Sequence, residues 1–373
     1  MQKKLIAVAV AGALAAPAAV MAQSTVQVYG NLYGEYSFID QGRATNGTDR
    51  ANPDVLQTPG SEIGFRGEEK LGGGMSAWFQ CASTADFRGA SPEGFCGRDS
   101  AVGFSGGFGN VFVGNWVSPF RRAFSVGNVG ARSTGVFGSW ALLYGSSATT
   151  LDGANAGSFA RRQNNSINYD SPKFGGFQFM AQVSSTNSGT NDLASAANAK
   201  PRTWSLGGMY TVGPLALAAG YEEHNKFYAA GGDEQGYHVS ASYKLGKVKF
   251  GGVYTKQEWD DTAATSGEVS AWNLGAEWHI AGPHNLNFAY TEADDVDGNS
   301  GAIGTRRPGA GADTGAKQWQ VRYLHNLSKR TYVGVGYVHL KTDRNATYGL
   351  GGFANAGTGA DSKGLALNVG HRF

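Results

Sequence analysis

Along most of this chain apolar and polar residues take turns, one for one. "TVQVYGNLYGEYSF" sets Val26, Val28, Leu32, Tyr36 and Phe38 on one side of an extended backbone, with Thr25, Gln27, Asn31, Glu35 and Ser37 on the other. "SAWNLGAEWHI" sets Trp272, Leu274, Ala276, Trp278 and Ile280 against Asn273, Gly275, Glu277 and His279. The closing "SKGLALNVGHRF" does the same, with Leu365, Leu367, Val369, His371 and Phe373 on one stripe. A period of two is the signature of β-strands. The runs are about ten residues long, the length of a tilted strand that crosses a bilayer.

The connectors alternate too. Short ones carry Gly, Pro, Ser or Lys, as in "KLGGG", "SPKFGG", "LGK" and "LSKR", and between them lie long polar ones, the longest spanning 118–160. Runs between these breaks number about sixteen, an even count suited to an outer-membrane barrel. In hydrocarbon every backbone N–H and C=O needs a partner within the protein, so a sheet crosses only when it closes on itself. Closure by sixteen or so strands leaves an aqueous bore, and the alternation then reads as apolar outside and polar inside. Trp259, Trp272, Trp319, Tyr323 and Tyr332, near strand ends, are expected in the interfacial girdles. The fold class is therefore all-β: a 16-stranded antiparallel transmembrane β-barrel. A soluble secreted sandwich or propeller is the competing reading. It explains neither the connector rhythm nor the lack of a motif repeating every ~40 residues.

Composition narrows the class further. Glycine, at 57 of 373 residues, has about twice its ordinary share, and hydrophobic residues stop at 41%. The N-terminus "MQKKLIAVAVAGALAAPAAVMAQ" carries Lys3 and Lys4, a short apolar core and a small-x-small site ending at Ala22. That is an export signal over 1–22, too short to span as a helix. Its removal leaves 29 basic residues from 31, against 29 acidic. Neutrality argues against a nucleic-acid partner. Cys81 and Cys96 flank one connector and form a candidate disulfide between neighbouring antiparallel strands in an oxidising compartment. The seven histidines show no metal-ligand spacing, and no nucleophile elbow, phosphate loop or CxxC is present. No cofactor, metal or enzymatic activity is expected.

Five segments carry a family resemblance in order along the chain. "SEIGFRGEEKLGGGMSAWFQ", "FCGRDSAVGFSGGFGNVFVGNW", "RRQNNSINYDSPKFGGF", "YLHNLSKRTYVGVGY" and the terminal "VGHRF" resemble Gram-negative general (trimeric) porins of the beta-proteobacterial branch. The resemblance implies an outer-membrane homotrimer that lets small hydrophilic solutes diffuse passively. It also implies contact with outer-membrane lipid and lipopolysaccharide, and with periplasmic chaperones and the barrel-insertion machinery, for which Phe373 would be the assembly signal. Loop 3, the third extracellular loop, would fold inward and constrict the bore; here it is the 118–160 connector, with Arg121, Arg122, Arg132 and Asp152. By matching position, Arg98 and Arg162 take the family's wall-arginine role in this pore constriction. Two positions depart: Glu62 and Asn115 stand where the family has arginine. Alternation independently turns Glu62 inward, since Ile63 and Phe65 face lipid. One arginine fewer and one carboxylate more imply a weakened anion preference. The other readings are an adhesin anchored by its barrel and a channel specialised for one solute class.

Overall fold

The computed structural model describes residues 26–89, 94–132, 134–144, 159, 161–185, 202–225, 233–262, 265–299, 310–351 and 357–373. The expected export signal and Asp152 lie outside them. Among the described residues, eighteen strands share one antiparallel sheet, of which Asp54–Gln57 and Asp297–Gly298 are short rim pieces. The other sixteen form the wall: β1 Gln27–Asp40, β2 Glu62–Gly72, β3 Met75–Thr84, β4 Ser100–Gly106, β5 Gly109–Val117, β6 Arg162–Asp170, β7 Phe177–Ser185 and β8 Arg202–Val212. They continue with β9 Leu215–Asn225, β10 Asp233–Leu245, β11 Val248–Thr262, β12 Thr265–Ala281, β13 His284–Ala293, β14 Ala316–Asn326, β15 Thr331–Thr342 and β16 Ser362–Arg372. Each pairs with the next, and β1 pairs with β16 from Asn31–Arg372 to Asp40–Lys363. The sheet therefore has no free edge, as hydrocarbon requires.

Turns such as 213–214, 246–247 and 282–283 take two residues, with Gly213, Gly246 and Gly282 at positive φ. Only glycine occupies that region without a Cβ clash, which places it at these reversals. The opposite rim differs from expectation at 260–267. There β11 and β12 run on to Thr262 and Thr265, which pair with each other, so no long loop forms.

Side-chain polarity is inverted relative to a soluble protein. Leu274 is 57% exposed while its neighbour Asn273 is fully buried. Along β16, Leu365, Leu367 and Val369 are exposed, and Ala366 and Asn368 are buried. The inner face carries Glu35, Ser37, Ser205, His238, Gln257 and Gln318. Two of the aromatics depart from the girdle. Trp259 has inward parity and is buried against Val269 and Val296. Tyr332 also has inward parity, over the open backbone at Gly370.

The apolar core comes from segment 118–144, which lies against that inner face. Ser118 caps α1 (Pro119–Phe124), its hydroxyl accepting from Arg121 N, with Pro119 at N1, where no N–H is required. Phe120, Phe124, Val136, Phe137 and the residues of α2 (Trp140–Tyr144) bury their side chains with Val253, Val338 and Leu340 of the wall.

Candidate functional site in the bore

Segment 118–144 is fastened to the wall by polar atoms the strands turn inward. Phe120 N donates to Ser205 Oγ at 3.0 Å, and His238 Nε2 meets Phe120 O at 2.8 Å. Further along, Gln257 donates to Leu143 O at 2.6 Å, Gln318 to Gly138 O at 3.2 Å and Arg322 Nη2 to Gly130 O at 2.9 Å. Val136 N donates to Glu35 Oε1 at 2.7 Å, and the same carboxylate accepts from Tyr33 OH at 2.7 Å. These partners sit on β1, β8, β10, β11 and β14. The segment's own main chain thus finds acceptors and donors where a bare loop would have only water.

The charges expected at the constriction fall into separate groups. Glu62, at the start of β2, accepts from Arg98 Nε at 2.8 Å. Arg162, at the start of β6, donates from Nε to Asp99 Oδ1 at 2.7 Å. Asp99 follows Arg98 directly, so the β2–β6 wall presents carboxylate, guanidinium, carboxylate, guanidinium in sequence. Glu62 pairs with Thr84 across the ladder while Ile63 is exposed, which puts its side chain on the inner face. Asn115 adds no charge: its Nδ2 donates to Gly97 O at 2.9 Å and Arg98 O at 3.1 Å, holding the backbone that carries Arg98.

The loop arginines do not join that row. Arg121 stacks over Trp140, 4.5 Å from the ring centre. Arg122 makes a two-pronged pair with Asp170 at 2.7 and 2.8 Å. Asp170 ends β6, eight residues beyond Arg162, or about 26 Å along the strand. Arg132 lies over the Tyr33 ring at 3.7 Å, and its Nη2 reaches Pro59 O at 3.4 Å. It has no carboxylate partner among the described residues.

Sequence reasoning passed over Asp99, Glu35 and Arg322. Asp99 could have been found from its adjacency to Arg98 in "CGRDS". Glu35 and Arg322 carry inward parity in the alternation, the one signal available for them.

Two features lie away from the bore. Cys81 and Cys96 are disulfide-bonded across a separation of 15 residues. Cys81 lies on β3, but Cys96 lies in the connector at positive φ rather than on a facing strand. Phe373 is exposed beside the β1–β16 seam, where its N and O exchange 3.1 Å hydrogen bonds with Gly30.

Comparison with known proteins places this architecture. The sequence profile of the Gram-negative porins matches residues 7–345. The chain is 28% identical over 389 aligned positions to outer membrane porin protein 32 of Delftia acidovorans, covering all of both chains. It is 32% identical to the major outer membrane protein P.IB of Neisseria gonorrhoeae over 51% of each chain. Among solved structures it is similar to an anion-selective porin from Comamonas acidovorans, with a TM-score of 0.73 and 23% identity over 94% of this chain and 100% of that one. The trimer form of OmpT from Vibrio cholerae has a TM-score of 0.66 at 16% identity, over 94% of this chain and 99% of its own. With most of its length matched by one profile, the chain belongs to the Gram-negative porin family.

Proposed function

We propose that the protein is a passive, water-filled channel of the Gram-negative outer membrane that admits small hydrophilic solutes and ions with a weak anion preference. The observation that carries this reading is a closed wall with exposed leucine, valine and phenylalanine outside and buried polar side chains inside. Segment 118–144, lying on one side of the bore, narrows the aqueous path toward the β2–β6 wall and so acts as loop 3. Charges around such a constriction bias which ions enter. Arg98 and Arg162 each face a carboxylate, which keeps the bias small, and Arg132, without one, gives it its sign.

Conductance of purified protein in planar bilayers tests the reading. Discrete steps that scale with salt and a reversal potential slightly on the anion side are expected. An absence of steps from folded protein overturns it, and clear cation selectivity overturns the preference.

Assembly as a homotrimer follows the precedent of the Vibrio cholerae relative, and chemical cross-linking of outer membranes tests it. Phe373 is the assembly address in this account. It lies at the β1–β16 seam, hydrogen-bonded to Gly30 and exposed to the lipid side. Deleting it is expected to reduce the heat-resistant folded band in membranes by several fold, with no change in synthesis.

A further inference from the structure

On the short-turn side of segment 118–144 lies a cavity of about 650 Å³ whose charge is one-sided. Lys244, Lys247, Lys249, Arg330 and Arg372 line it toward the turns, and Arg132 and Arg322 line it toward the segment. The one acidic residue in its lining, Glu277, accepts from Gly130 N at 3.3 Å. By strand parity Lys244, Lys249, Arg322 and Arg372 all turn into the bore.

Arg322 is the telling residue. It is 5% exposed. Neither it nor Arg132 forms an ion pair among the described residues. The Nε atoms of both are buried with no hydrogen-bond acceptor there. Arg322 spends Nη2 on the Gly130 carbonyl, a neutral partner. Glu35 acts on Arg322 from beyond contact distance, and its carboxylate is committed to Val136 N and Tyr33 OH. Burying a guanidinium with no carboxylate in contact is costly, and two in one cavity repel as well. An anion between them offsets both terms. A guanidinium matches an oxyanion through paired N–H···O bonds, while the flexible lysines supply charge without fixed geometry.

We propose that this cavity is a binding site for small multivalent oxyanions of the phosphate or sulfate kind, with Arg322 and Arg132 as the contacting groups and the mouth lysines as the collecting field. A monovalent anion offers too little charge and too few oxygens to bridge two guanidinium groups. The site lies apart from the Glu62–Arg98–Asp99–Arg162 row, and it rests on the channel reading because the cavity is part of the bore.

The test is single-channel recording of the full-length protein in potassium chloride with inorganic phosphate added, and acetate as control at matched ionic strength. Phosphate is expected to reduce the chloride current with saturation, and acetate to leave it unchanged. Arg322→Gln should raise the half-blocking phosphate concentration about tenfold, the consequence of losing a charged hydrogen-bonding partner. Because replacing a buried arginine also bears on folding, the solvent-facing double variant Lys244→Gln, Lys249→Gln is measured in parallel and should raise it about threefold through lost attraction. Equal effects of phosphate and acetate, or block undiminished in both variants, would overturn the proposal. Absence of any channel steps would instead sink the channel reading beneath it.

Discussion

Glu62→Gln isolates the electrostatics of the constriction in one atom. Glu62 Oε2 lies 2.8 Å from Arg98 Nε, so the two form a neutral pair on the β2–β6 wall. Glutamine keeps an acceptor oxygen for that nitrogen and removes one negative charge, leaving the wall one unit more positive. An ion passing at about 5 Å through water feels an added unit charge as about 0.8 kcal/mol, which screening over a length of about 8 Å cuts to about 0.4 kcal/mol. Anions gain that amount and cations lose it, so the permeability ratio moves by about 0.9 kcal/mol, or about fourfold toward anions. The assay is the zero-current potential across a tenfold potassium chloride gradient, with the heat-resistant gel band confirming a folded barrel. Glu62→Arg should give a second step of similar size. A zero-current potential unchanged in both variants, or moved toward cations, would show that Glu62 does not face the permeating ions and that the β2–β6 row is not the constriction wall.

Other perturbations test the supports of the fold. The Cys81–Cys96 bond closes a loop of 15 residues, so Cys81→Ser with Cys96→Ser is expected to lower unfolding free energy by about 3 kcal/mol in urea while leaving conductance unchanged. Glu35→Ala removes the buried acceptor of Val136 N and Tyr33 OH; a loss of at least about 1.5 kcal/mol and noisier open-channel currents are expected, and quiet currents would deny that this anchor holds the segment. Asp86, in the connector after β3, has its carboxyl pulled from 3.8 down to about 2, first by the Arg88 hydrogen bonds and also by Thr58. A depressed carboxyl stabilises the fold above its ordinary value and loses that contribution as pH falls through its folded value of about 2. Asp86→Asn should therefore cost about 1 kcal/mol at neutral pH, allowing for the partly exposed Arg88, and a shrinking amount as pH falls from about 4 through about 2 in thermal unfolding.

The wall was legible in the sequence because a bilayer-spanning strand has few choices. One face meets hydrocarbon and the other water, so Leu365, Leu367 and Val369 against Ala366 and Asn368 report orientation residue by residue. Parity also placed Glu62. Residue type and nearness to a strand end mislead at Trp259 and Tyr332, whose positions in the alternation turn them inward. The rim at Thr262–Thr265 was missed because polar strand ends that rise above the membrane carry no apolar stripe to mark them.

The charge partners were less legible, since pairing in the bore depends on which residues the barrel's curvature and segment 118–144 bring together. Asp99 and Arg162 are 63 positions apart, and Arg322 and Gly130 are 192 apart. The glycine excess shows the same limit. Part of it serves the tight turns, as at Gly213 and Gly246. Another part serves the inner wall: a side chain at Gly275 would strike the Val129 carbonyl, one at Gly251 the Val129 side chain, and one at Gly127 the Gly252 carbonyl. Wall and segment approach so closely there that only backbone fits between them. In the channel proposed above, the path left for solute runs on the opposite side, along Glu62, Arg98, Asp99 and Arg162. On that reading, the smallest side chains in the chain direct the aqueous path past the charged ones.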